Sequence, residues 1–152
     1  MPVVRRGARA GAVTSLGPGE ARSRFAAARV ARLATADAEG RPHLVPFVFA
    51  VAGDTVLSAV DAKPKRSTTL RRLANLAVNP AVAVLADHYD DDWTALWWAR
   101  GDGRGRVVDV ESPEGRHALR LLAERYPQYR EEPPPGPVLA VDVTRWSGWS
   151  AR

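Results

Sequence analysis

Short strand-like runs, joined by turns and never alternating one for one with helices, confine this chain to a small antiparallel β architecture. Val30 to Thr35 reads as a strand, and Asp37-Ala38-Glu39-Gly40 as the turn after it. The run 42–51 is apolar on both faces. His43, Val45, Phe47 and Phe49 fall on one side and Leu44, Pro46, Val48 and Ala50 on the other, the pattern of a strand covered from both sides. Ala52-Gly53-Asp54 turns the chain into a strand over 55–60. Further strands are expected over 81–86, from Trp97 to Val110 with an interruption at Gly101-Asp102-Gly103-Arg104-Gly105, and over 138–143. Arg145-Trp146-Ser147-Gly148-Trp149 then closes the chain.

Helices are expected where caps announce them. Pro18 and Glu20 start one that runs to about Ala28, with Phe25 as its large apolar anchor. Ser112-Pro113-Glu114 starts another that runs to about Tyr126, with Leu119 and Leu122 inward. A third, over Leu70 to Leu76, ends before Asn79-Pro80. The fold class is therefore mainly β: a six-stranded antiparallel barrel with peripheral helices.

The chain of 152 residues is long enough for one domain with a core of its own. Residues 1–17 are Gly-, Ala- and Arg-rich without hydrophobic periodicity and read as a disordered basic arm, leaving 18–152 as the single domain. Residues 1–30 hold Arg5, Arg6, Arg9, Arg22, Arg24 and Arg29 against Glu20 alone, which accounts for the whole net charge of +5. The body is thus neutral, and nucleic acid is not an expected partner, since that needs charge gathered on a folded face. With no cysteine, disulfides and thiolate chemistry are excluded, and a cytoplasmic setting fits. No apolar run approaches the roughly 18 residues of a membrane span.

Chemistry concentrates in Lys63-Pro64-Lys65-Arg66-Ser67-Thr68-Thr69, backed by Arg71 and Arg72. The segment carries cations and hydroxyls without an acid, between a strand and the start of a helix. Free backbone N–H groups and the positive end of a helix dipole favour an anion there, and Lys and Arg add charge-assisted bonds. A phosphate site and a solvated basic helix start both fit this pattern.

No nucleophile–base pair is visible. His43, His88 and His117 are scattered, with no serine elbow beside them, so no catalytic residue is assigned. His43, in an apolar strand, is either a hydrogen-bonded barrel histidine or a ligand contact. No set of side chains has metal-ligand spacing, and Asp90-Asp91-Asp92 reads as a solvated loop. Trp97 and Trp98 are adjacent and face opposite sides of a strand. One of them enters the core; the other meets water, a flat ligand or a second subunit. Trp146 and Trp149 pose the same question. The segments 87–93 and 101–105 are candidate covers for a bound substrate.

Several of these pieces occur together in one family. They are Arg32-Leu33-Ala34-Thr35, the turn and strand from Asp37 through Gly40-Arg41-Pro42 to Pro46, and the strand–Lys-Pro-Lys-Arg–helix block. Leu73-Ala74-Asn75-Leu76, Asn79-Pro80, the run from Asp87 to Trp93 and the closing Arg145 to Trp149 complete the set. Over about residues 20–150 the chain resembles the pyridoxamine-phosphate-oxidase-like split β-barrel flavoproteins, and within them the branch of deazaflavin (coenzyme F-420)-dependent oxidoreductases. That resemblance implies an FMN-binding-like split barrel and a homodimer with a cofactor at the subunit interface. It also implies an enzyme that passes a hydride from reduced F-420 to a small organic acceptor. The alternatives are FMN in place of F-420, or a non-catalytic carrier of either. It implies ring contacts from His43, Leu44, Val45 and Pro46, and phosphate contacts from Lys65, Arg66, Ser67 and Thr68 with Lys63 and Arg72 nearby.

Overall fold

The computed structural model describes the backbone of residues 14–60 and 66–152 and the side chains of 15–60 and 71–152. Eight antiparallel strands form one sheet: β1 (Thr14–Leu16), β2 (Ala31–Ala36), β3 (Pro42–Phe47), β4 (Ala50–Ala52), β5 (Thr55–Ala59), β6 (Ala81–His88), β7 (Trp97–Val108) and β8 (Val138–Ser150). Among the described residues four α-helices accompany them: α1 (Pro18–Ala27), α2 (Arg66–Val78), α3 (Pro113–Arg125) and the short α4 (Gln128–Glu131). The strand path is β3-β2-β6-β7-β8-β5-β4, with β1 paired to β8 at the side. No helix among the described residues is long and apolar enough to cross a membrane.

This order dictates a barrel. β3 and β4 stand at opposite ends of the path, yet only Val48 and Phe49 separate them in the chain. Three Cα steps reach at most about 11 Å. The sheet must curl until its ends nearly meet, leaving a barrel split along one seam. Mainly-β composition and antiparallel pairing match the expectation from sequence; the strand count rises from six to eight for two local reasons. Residues 14–16, assigned to the arm, pair with Gly148 to Ser150 as β1, because β8 runs on and offers them an edge. The arm's remainder lies outside the described residues. The expected single strand over 42–51 breaks at Val48-Phe49, where the seam falls.

The seam is held from a distance. Phe49 is wholly buried, and its N–H donates to the Tyr126 hydroxyl at 3.2 Å. That hydroxyl has the carbonyl oxygens of Phe49 at 3.0 Å and Arg29 at 2.9 Å as acceptors. Ser58 Oγ donates to the Val48 carbonyl at 2.9 Å. Backbone groups that lack a ladder partner at the seam are thus satisfied by side chains. Tyr126 follows directly on α3, whose Ser112 cap accepts from the Gly115 N–H at 3.0 Å. α3 buries Gly115, Ala118 and Leu122 inward, and Arg106 clamps its first turn to β8 through Glu114 at 2.6 Å and Asp142 at 2.7 Å. In the last turn, Arg125 donates to the α1-end carbonyls of Ala26 and Ala28.

The main core gathers Phe25, Phe49 and Trp146. The Phe25 ring lies 4.6 Å from Phe49 and 5.4 Å from Trp146. Burying each such side chain stabilises the fold by about 1.5–3 kcal/mol.

β7 and β8 form the longest ladder, from Trp97↔Ser150 to Val108↔Val138. The glycine-rich stretch 101–105 does not interrupt β7. Its glycines admit close packing instead: a Cβ on Gly105 would sit 2.5 Å from Leu76 of α2 and 2.8 Å from Val82. Those residues are therefore no cover for a substrate. The register shifts once, between Asp102 and Gly103, where Asp102 opposes Arg145 and Gly103 opposes Val143. Thr144 is the extra residue, and its hydroxyl donates to the Asp102 carbonyl at 3.1 Å. Below this bulge Leu139, Val141 and Val143 point into the main core; above it Trp146 does. The bulge switches which parity faces inward.

Tyr126→Phe is expected to cost about 1–3 kcal/mol, because it leaves the buried Phe49 N–H without a partner. Urea unfolding checks this; a variant as stable as the parent would remove Tyr126 from the seam.

Candidate functional site

The split brings together two segments far apart in sequence. β3 is an edge strand, consistent with Pro42 and Pro46 in it. Its residues alternate: Val45 packs against the main core and Phe47 is buried, while Leu44 and Pro46 are exposed, Leu44 at 66%. Two-sided burial, expected from the apolar run, does not occur in the single chain. The outer face of an edge strand has no cover there, a tertiary fact that periodicity cannot carry.

α2 lies against this end of the sheet. Asn75, buried, donates from Nδ2 to Thr35 Oγ1 at 3.0 Å, and Asn79 reaches the Asp37 carbonyl at 3.4 Å. Together with Leu76 over Gly105, these contacts fix the helix on β2 and β7. Leu73 and Leu76 supply the apolar stripe, and a buried asparagine beside them was the signal of an anchor. The turn below is equally fixed. Asp37 Oδ1 accepts from the N–H groups of Glu39 and Arg41, its Oδ2 accepts from Arg41 Nε at 2.8 Å, and Gly40 sits at φ 79°, in the left-handed region. Arg41 beside Asp37 holds that carboxyl below the usual range.

Two cavities flank β3. One, of about 270 Å³, opens in the seam between Pro46, Phe47, Val48, Ser58 and Arg72. The other, of about 360 Å³, lies between Arg41, His43, Arg71 and Asn75. His43 Nε2 is buried and has no hydrogen-bond partner among the described residues. Desolvation, then the charges of Arg71 and Arg72, push the imidazole below its usual pKa. At neutral pH it is uncharged, able to donate or accept one bond to a ligand. A buried polar atom without a partner is costly in a finished structure and expected in an unfilled binding site.

Of the residues assigned from sequence, Pro46 and Arg72 line the seam cavity and His43 lines the second one, while Val45 packs against the main core and Leu44 lies on the outer face of the same strand. Arg66, Ser67 and Thr68 form the first turn of α2, with side chains outside the described set. Lys63 and Lys65 lie outside it altogether. Arg71, which the sequence places behind the basic segment with no role of its own, faces His43 across the second cavity. The Asp90-Asp92 loop is used for turns: Asp90 accepts from the Asp92 N–H at 2.8 Å, and Asp92 from Thr94 Oγ1 at 2.7 Å.

The tryptophans divide as their parity requires. Trp97 packs on the core with Arg24 over its ring at 5.7 Å, and Trp146 is buried with Nε1 donating to Asp54 at 3.0 Å. Trp98 and Trp149 oppose each other on the outer face.

A split antiparallel barrel with this helix placement has known counterparts. The sequence profile of pyridoxamine 5'-phosphate oxidase matches residues 18–150. The chain belongs to that family. An FAD-binding protein from Mesorhizobium loti superposes with a TM-score of 0.71 at 21% identity, covering 92% of this chain and 99% of the other. An FAD-binding protein from Mycobacterium smegmatis superposes at 0.60 with 24% identity, covering 91% and 97%. The heme storage protein HutZ from Vibrio cholerae superposes at 0.65 with 18% identity, covering 84% and 87%. These identities establish the shared fold alone. Among curated proteins no match to the sequence was found.

His43 is expected to titrate below the ordinary imidazole value of about 6.5, followed by NMR of its ring protons. The neutral form is the one the fold accepts. Its contribution to stability is therefore full above pH ~6.5 and is lost as pH falls through the depressed folded pKa. Arg71→Gln is expected to raise the midpoint; a midpoint at the ordinary value in the parent would remove the burial and the guanidinium repulsion inferred here.

Proposed function

We propose that the chain is an oxidoreductase that holds a flavin-type cofactor at the barrel split, with reduced coenzyme F-420 as the cofactor and a small organic molecule as the hydride acceptor. The observation that carries this reading is the meeting of β3 with Arg71 and Arg72 of α2, around a buried His43 Nε2 that has no partner among the described residues. A ring system with polar edges and a phosphate tail needs both kinds of group. The residues fit it: apolar Leu44 and Pro46 for the ring, a neutral imidazole for one ring heteroatom, and Arg72 with the α2 start for the phosphate.

Bound cofactor would supply the hydride chemistry, which needs no nucleophile or metal from the protein. The chain's own residues then bind, orient and shield. Lys63, Lys65, Arg66, Ser67 and Thr68 hold the phosphate by charge-assisted bonds and the α2 N-terminus. His43, Leu44, Val45 and Pro46 position the ring. Leu44 and Pro46, exposed in the single chain, fit burial against a second copy, so the proposal includes a homodimer with the cofactor at the subunit interface.

The relatives support flavin chemistry in general: two are FAD-binding proteins, and the family is that of an oxidase. FMN is thus the alternative cofactor. The heme storage relative supports a second reading, a carrier that binds a flat cofactor without turnover.

Titration of the purified protein with F-420 and with FMN, each followed by cofactor fluorescence at fixed salt, decides between the cofactors, and turnover across a panel of acceptors separates the enzyme from the carrier. Micromolar affinity with preference for F-420 is expected, and binding of neither would overturn the proposal. Lys65→Ala with Arg66→Ala is expected to weaken binding by several kcal/mol, since each charged hydrogen bond is worth about 1.5–3. Unchanged affinity would displace the phosphate from the start of α2.

A further inference from the structure

The two cavities beside β3 share no lining residue, yet each takes one arginine from α2: Arg72 lines the seam cavity and Arg71 the second. Successive helical residues point about 100° apart, so neighbours on one helix can serve two spaces. β3 serves both as well, with Pro46 and Phe47 at the seam and Pro42 and His43 at the second cavity. Four residues of strand span about 13 Å. An elongated ligand of about that length, anchored at the seam, can reach the second cavity along β3.

The charges of the second cavity are unequal. Asp37 is the one acid among the described residues that line it, against Arg41 and Arg71. That acid is already engaged: it accepts from Arg41 Nε at 2.8 Å and from two backbone N–H groups of its own turn. Glu39, in the same turn, takes Arg41 Nη2 at 2.6 Å. The two acids orient the Arg41 guanidinium and leave its Nη1 unengaged among the described residues. Arg71 has no hydrogen bond or ion pair with any described residue. Burial first, and then the charge of Arg71, lower the His43 pKa, so that charge acts across the cavity. Asn75 offers the space little, since its amide is committed to Thr35 at 3.0 Å. A guanidinium without an acid, beside a second one held in orientation, is an arrangement that receives an anion. A carboxylate suits it: its two oxygens match the parallel N–H groups of a guanidinium, and one negative charge balances the one in excess on the lining.

We infer that the cavity between Arg41 and Arg71 is a carboxylate subsite, separate from the phosphate position at Arg72 and the start of α2. The acid has two sources. F-420 carries a tail of glutamates beyond its phosphate, and that tail can run along β3 from the seam, whereas FMN ends at its phosphate and leaves the subsite open. A hydride acceptor that is itself an organic acid is the other source. Either source rests on the cofactor reading above; the carboxylate subsite itself rests on the charges of the cavity.

The test uses the full chain with glutarate, a small dicarboxylate, and glutaramide as its uncharged analogue. The chain has 3 histidines, and NMR of their rings, with the His43 signals identified by their loss in His43→Gln, reports where the acid binds. Saturating glutarate should raise the His43 midpoint by roughly 0.5–1 pH unit, because an anion there opposes the charges of Arg41, Arg71 and Arg72. Glutaramide should leave the midpoint in place. Arg71→Gln should weaken glutarate about ten-fold, and Arg71→Lys, which keeps the charge but not the fork, should recover part of the loss. Arg120→Gln, at an exposed position of α3, should leave affinity unchanged. Absence of a saturable response at His43 would overturn the inference, as would equal affinity in the Arg71→Gln and Arg120→Gln proteins. Displacement of glutarate by FMN would also overturn it, by merging this cavity with the phosphate position. Displacement by F-420 and not by FMN assigns the subsite to the glutamate tail; displacement by neither, with both cofactors shown to bind, assigns it to the acceptor. A chain that binds neither cofactor but still takes glutarate beside His43 would sink the proposed function and leave the subsite standing.

Discussion

Closure of the barrel rests on one phenol. A sheet whose first and last strands are joined by two residues cannot complete its hydrogen-bond ladder at the joint, and the unpaired backbone must find partners elsewhere. Tyr126 supplies them to Phe49 on both its N–H and C=O sides, and Ser58 supplies one to Val48. The phenol arrives from the end of α3, which Arg106 and Arg125 anchor to β8 and to the end of α1. One helix outside the sheet thus determines where the sheet stops. The seam it leaves is the cavity beside Arg72, so the contact that finishes the fold also opens the space in which a ligand would sit.

The candidate site is a product of topology more than of any motif. β3 and α2 are separated by two strands in the chain, and they converge because β3 ends the strand path while α2 is pinned by Asn75 to β2, the neighbour of β3. The convergence buries an imidazole beside two cationic side chains, and burial first, then the charges of Arg71 and Arg72, hold its pKa below the usual value. Family membership accounts for the scaffold. What a scaffold of this kind does is decided by the few side chains in its split.

Much of this was legible in the sequence because the signals are local. Ser112-Pro113 marks the start of α3 and Pro18 that of α1, and Gly40 and Gly53 mark turns with positive φ. The basic segment before α2 was visible as a run of charge. What escaped depends on contacts across the sheet. The apolar run 42–51 looked buried on both sides because periodicity reports side-chain type and not which strand has a neighbour. The glycines at 101–105 looked like a loop because glycine also marks loops. Here they yield room to Leu76, Trp146 and the β8 backbone. Arg71 could not be assigned a partner, since its distance to His43 exists only in three dimensions.

The bulge at Thr144 carries a kind of information that no side chain in the segment holds. On either side of it the β8 residues are chosen for an inward face, but odd positions face inward before it and even positions after it. The number of residues between Asp142 and Trp146 therefore determines which indole seals the core and which is displayed. In this stretch of the chain, spacing is as much a coded quantity as identity. A lineage that kept every residue type yet gained or lost one position here would turn the protein's last strand inside out.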